Sequence, residues 1–183
     1  DIEEKFPDLE VYVSGVAALN NAFAEAGMKD AGTITPIMFL MIFIMVGLII
    51  RAWSPTIAVL ILIILSTIVG MGIGGYAGIE LKPISMAAPT VILTLAVADA
   101  IHIYITLKSL MQEGMEKREA IIESLKINFL PVTITSATTI VGFLALNFSD
   151  SPPYWHLGNI TAIGIGAAWF FSITLLPVII NIL

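Results

Sequence analysis

The sequence predicts an all-α polytopic membrane protein with five transmembrane helices, preceded by a short external strand and helix. Three observations carry this. Of 183 residues 58% are hydrophobic and 12% charged, with a mean hydropathy of +0.99, which no soluble surface of this size tolerates. Nine of the 22 charged residues lie in residues 1–30 and eight in residues 108–126, leaving Arg51, Glu80, Lys82, Asp99 and Asp150 for the rest. The stretches between are long enough to cross a ~30 Å hydrocarbon layer, which takes about 20 helical residues, the third once Asp99 is tolerated within it. They are apolar all round, so the alternating strands of a transmembrane β-barrel are excluded.

The first 30 residues read as the end of an external domain. Glu10–Val13 alternates like a strand, Ser14-Gly15 breaks it, and Val16–Ala26 is a helical run ended by Gly27. This piece is too short to bury a core alone, and the chain is expected to be part of a longer protein.

Segment 31–53 holds the first span, Ile34–Ile50, with Pro36 in its first turn and Arg51 and Trp53 at the interface. Segment 54–77 holds the second, Pro55–Tyr76. Down it run Ser66, Gly70, Gly74 and Gly78, small residues four apart that let another helix approach closely. Segment 84–107 is the third span and contains Asp99. Residues 108–127 connect it to the fourth; with Ile121, Ile122, Leu125 and Phe129 on one face, they predict an interfacial helix along the inner leaflet. A solvated connector is the alternative. Segment 128–148 is the fourth span, with Gly142 on its small-residue face, and 156–183 is the fifth, with Gly158, Ala162 and Gly166 as a second packing seam.

Arg51, Lys108, Lys117, Arg118 and Lys126 fall on one side of this layout, which makes that side cytoplasmic by the positive-inside rule. Residues 1–30 and the turns near Lys82 and Ser151 are then external, and the location expected is the inner (plasma) membrane.

Several chemistries are set aside. There is no basic patch for nucleic acid, and with no cysteine there is neither a disulfide framework nor a thiolate metal site. Gly70–Gly75 resembles a phosphate loop but lacks its lysine and preceding strand. The sequons at Asn147 and Asn159 sit at or inside spans. No nucleophile–base set is recognisable, so an enzyme is not expected, nor a cofactor or metal.

Asp99 is the single acid within a span. It lies roughly 5 Å from the bilayer centre by helix rise, where an ionised carboxylate costs on the order of 3 kcal/mol or more. Such a group can accept a proton from one side and release it to the other when its surroundings change. That makes Asp99 a candidate proton or cation relay; a protonated aspartate bonded to a neighbouring helix is the bland alternative. His102, three residues on, shares a face with it and can extend the path, or simply bond to backbone or water. On the fourth span Thr135, Thr138 and Thr139, with Gly142, share one face at about the same depth. Their hydroxyls are expected to face Asp99, or else to bond back to their own helix.

Ala96-Val97-Ala98-Asp99-Ala100-Ile101-His102 resembles the fourth-helix motif of the resistance-nodulation-division (RND) superfamily, in its branch of exporters related to the mycobacterial large membrane proteins and Patched. Thr135 to Phe143 is similar to that family's fifth helix, Ser149 to Asn159 to the turn that follows, and Leu175-Leu176-Pro177 to the end of its sixth. The resemblance implies that the five spans are helices two to six of a twelve-helix transporter, with residues 1–30 closing its periplasmic domain. Where relatives carry two adjacent acids, this chain has Ala98 and Asp99. The implied function is proton-driven export of lipid-like substrates, with membrane lipids, protons, a second transporter half and the periplasmic domain as partners and a homo-oligomer as an option. The alternatives are a sterol-sensing-type lipid module without transport and an auxiliary motor for protein secretion.

Overall fold

The computed structural model describes residues 14–182. These are helical almost throughout: α1 Val16–Gly32, α2 Ile34–Ile50, α3 Trp53–Tyr76, α4 Ala88–Gln112, α5 Lys117–Leu144 and α6 Pro152–Ile182, with 3₁₀ turns at Ser85–Ala87 and Ala145–Phe148. Five helical stretches are long and apolar enough to cross a membrane. The strand expected at Glu10–Val13 lies outside the described residues.

Helix α1 runs through Gly27 to Gly32 rather than stopping at Gly27. A β-carbon on Gly27 would sit 2.6 Å from the Met86 sulfur, a contact that this flexible side chain can relieve by moving. Between α2 and α3 the chain turns on Arg51, whose φ of 53° is left-handed, a conformation that costs a non-glycine residue about 1–2 kcal/mol. Pro55 falls in the first turn of α3, where its missing N–H is no loss.

Gly78 is not part of the α3 seam. With φ 73° it ends the helix: its N–H donates to the Gly75 carbonyl and that of Ile79 to the Gly74 carbonyl, both at 3.0 Å, the pattern of a Schellman stop. Gly114, φ 98°, ends α4 similarly, with Met115 N–H on the Leu110 carbonyl at 3.2 Å.

That second stop changes the connector. Residues 108–127 do not form a helix of their own, because the chain reverses at Gly114 within a few residues. Lys108–Gln112 prolongs α4, and 117–127 are the first three turns of α5, which at 28 residues is ~42 Å long. Ile121 packs into the core with Ala120 instead of joining Ile122 and Phe129 on the exposed side.

Helix α6 packs against α3, α4 and α5, while α2 lies at the edge against α3. The close approaches rest on glycine. A β-carbon on Gly70 would lie 2.9 Å from the Gly164 Cα and from Ile92 Cδ1, and one on Gly74 would lie 2.9 Å from Ile160 Cγ1. On α6, Gly158 faces the Phe143 carbonyl and Ala162 is buried, whereas Gly166 has an ordinary neighbour in Ile140 at 3.9 Å. Ser66 is buried and returns its hydroxyl to the Leu62 carbonyl. Gly142 is exposed with nothing near it, so it is no packing residue among the described residues.

Candidate functional site

Asp99 sits midway along α4 on the face that packs inward with Ala96, Ala100 and Ile103. It is 4% exposed in an otherwise apolar stretch. The Ser136 hydroxyl of α5 donates to its Oδ2 at 3.0 Å, a buried bond between two helices. This placement follows from α5's buried face, which is Ser124, Asn128, Val132 and Ser136 at four-residue intervals.

The threonines expected beside Asp99 are turned elsewhere. At 100° per residue, Thr139, Thr135 and Thr138 lie about 60°, 100° and 160° round the helix from Ser136. Each hydroxyl bonds back to its own helix: Thr135 to Pro131, Thr139 to Thr135, and Thr138 to Ile134 and Thr135, at 2.7–3.0 Å. Thr135 bonds the carbonyl of a proline within the helix. His102 is exposed, about 60° from Asp99, and its carbonyl accepts the Thr106 hydroxyl at 3.0 Å. The structure therefore brings together Asp99 and Ser136, and not Asp99 with the three threonines.

Further polar groups line the α4–α5 contact toward the Gly114 turn. Ser124 donates to the Ile103 carbonyl at 2.6 Å, and Asn128 to the Ser124 carbonyl at 2.8 Å. From Ser136 to Ser124 is ~18 Å along α5, with Val132 the one apolar member of the row. Thr133 accepts the Trp169 indole N–H at 3.0 Å, which ties α5 to α6. Asn147 and Asn159 exchange amide hydrogen bonds at 3.2 and 2.8 Å, locking the 3₁₀ turn after α5 onto α6. Ser136, Ser124, Asn128 and Gly164 were not singled out in the sequence. The four-residue spacing on α5 was the available signal, masked by the denser cluster of threonines beside it.

The outward sides of α4 and α5 are more polar than lipid requires. Thr94, His102 and Ser109 are exposed on α4, and Thr135 and Thr138 on α5. Among the described residues no three histidine or acidic side chains gather closely enough to hold a metal ion.

Comparison with known proteins agrees with this architecture. Residues 2–183 match the MMPL family. A membrane protein of Methanocaldococcus jannaschii is 27% identical over 96% of this chain and 45% of its own length. Two Mycobacterium tuberculosis proteins are similar over comparable stretches: MmpL2, 29% identical over 95% of this chain and 18% of its own, and the siderophore exporter MmpL5, 28% over 96% and 19%. The chain spans less than half the length of each of these relatives. A five-span helical bundle with a buried intramembrane aspartate, matched along nearly its whole length, thus belongs to the MMPL family of multi-pass membrane proteins.

Proposed function

We propose that this chain is the membrane-embedded half-bundle of an exporter that moves hydrophobic or amphipathic, lipid-like molecules at the expense of the proton gradient. The observation that carries the reading is Asp99, an acid buried in the middle of a span and hydrogen-bonded across a helix interface to Ser136. Polar groups at this depth face protein or a wet path rather than lipid. An ionised Asp99 accepts the Ser136 hydrogen bond, whereas a protonated one is also a donor and can engage a different partner. Proton binding therefore changes what holds α4 to α5.

The energy suffices. One proton crossing ~150 mV supplies about 3.5 kcal/mol, a factor of roughly 350 in a two-state equilibrium. The row Ser124, Asn128 and Ser136 offers hydroxyl and amide groups between Asp99 and the α4–α5 turn, which the positive-inside rule makes cytoplasmic. His102 is a second titratable group near Asp99, on the side where a further six-helix half would pack. Covering Thr94, His102, Thr135 and Thr138 with that half gives these polar side chains a protein surface. On this reading the protein lies in the inner (plasma) membrane, with residues 1–30 outside, and it carries no enzymatic chemistry. The exporter among its relatives supports outward movement of cargo. Replacing Asp99 by Asn in the full-length protein tests the reading: insertion and expression should survive and transport should fall to background.

A further inference from the structure

The edge helix α2 leaves a groove of about 410 Å³ against the start of α3, lined by Ile44, Gly47 and Leu48 on one side and by Arg51, Trp53 and Thr56 at its mouth and floor. Three features shape it. Gly47 contributes no side chain where the helices diverge, and the nearest atom to a β-carbon placed there is the Thr56 methyl at 3.8 Å. Thr56 donates its hydroxyl to the Ala52 carbonyl at 2.7 Å, so that methyl, and not the hydroxyl, forms the floor. Trp53 is 79% exposed at the rim, the position where an indole bridges hydrocarbon and headgroups.

Arg51 stands at the mouth. It holds a left-handed backbone that glycine adopts without strain, so the turn itself does not require the side chain that this position carries. No acidic side chain among the described residues pairs with its guanidinium; the ion pairs found join Lys82 to Glu80 and Lys126 to Glu123. From Arg51 to Phe43 the groove runs eight residues, ~12 Å, into the membrane, close to the depth of one leaflet's acyl chains. The combination is an apolar slot about one leaflet deep with a cation at its mouth that has no acidic partner among the described residues.

We infer that this groove binds an anionic phospholipid from the leaflet on the α2–α3 side, with an acyl chain along Gly47 and the phosphate on Arg51. A guanidinium presents paired N–H donors that suit a phosphate. The site is separate from Asp99 and Ser136, and the inference stands or falls without the transport reading.

The test is native mass spectrometry of the full-length protein in mild detergent, titrated with phosphatidylglycerol and, separately, phosphatidylcholine. The wild type should retain phosphatidylglycerol at least tenfold more tightly than phosphatidylcholine. Arg51→Gly, which keeps the turn and removes the charge, should erase that preference, and Arg51→Lys should restore part of it. Gly47→Leu fills the slot without touching the charge and should lower retention about tenfold. Equal retention of both lipids by the wild type, or no retention because another segment of the protein fills the groove, overturns the inference. So does sensitivity to Arg51→Gly with none to Gly47→Leu, which marks a surface charge effect without a groove. A melting temperature for each variant shows that folding is intact, and Arg51→Lys remains decisive if Arg51→Gly fails to insert.

Discussion

Glycine seams in membrane helices make a signed prediction, because alanine is better than glycine in a helix by about 1 kcal/mol unless its methyl has nowhere to go. At Gly72 a β-carbon meets nothing within 4 Å, so Gly72→Ala should be neutral or stabilising by up to about 1 kcal/mol. At Gly70 it would press on the Gly164 backbone at 2.9 Å, which cannot step aside. Overpacking of this kind costs about 1–3 kcal/mol, so the net for Gly70→Ala is a loss of about 0–2 kcal/mol. At Gly164 the obstacle is the Ile92 side chain, which can be trimmed. Gly164→Ala should therefore destabilise alone and be rescued by Ile92→Ala, with a coupling energy of about 0.5–3 kcal/mol, whereas Ile92→Ala should not rescue Gly70→Ala against its backbone contact with Gly164. The assay is thermal unfolding of the full-length protein in detergent, followed by tryptophan fluorescence. If Gly70→Ala stabilises the protein, or Ile92→Ala fails to offset Gly164→Ala, the packing of α3 and α4 on α6 is not built as described.

Three further outcomes are expected. A cysteine within residues 113–116 should be labelled only from the cytoplasm and one at Ser151 only from outside; the opposite pattern contradicts the assigned orientation. Ser136→Ala should shift the pH dependence of transport because it removes the one side-chain hydrogen bond described for Asp99, while Thr135→Val and Thr138→Val should leave it in place; equal shifts from all three would return the threonines to the site. Ser124→Ala should destabilise by about 1 kcal/mol, the net worth of a buried hydrogen bond, read as a lower melting temperature, and no change would mean that water replaces the hydroxyl at Ile103.

Much of the fold was legible because hydrocarbon leaves little choice. A charge-free run must be a helix, and the first span, Ile34–Ile50, came out with the same limits. The ends were harder, since polar composition does not say whether a helix stops at the interface or continues past it. Lys108–Lys126 looked like a separate element, and only the left-handed glycine at 114 divides it between α4 and α5. Gly78 and Gly142 matched a small-residue spacing, yet spacing cannot tell a packing glycine from a helix stop or an exposed position. Asp99 was readable as a lone acid in a span. Its partner was not, because several hydroxyls shared its depth and a rotation of 60–160° about α5 separates Ser136 from the threonines. Ser124, Asn128 and Val132, at four-residue intervals before Ser136, would have pointed to it.

The most direct test of proton coupling at Asp99 is proton uptake and substrate transport measured together in proteoliposomes of the full-length protein, with a pH-sensitive dye on one side. Wild type should show proton movement that depends on substrate. Asp99→Asn, nearly the same size but unable to titrate, should insert normally and show neither, and Asp99→Glu should retain part of both. Substrate-dependent proton flux at the wild-type rate in Asp99→Asn would contradict the role assigned to this carboxylate.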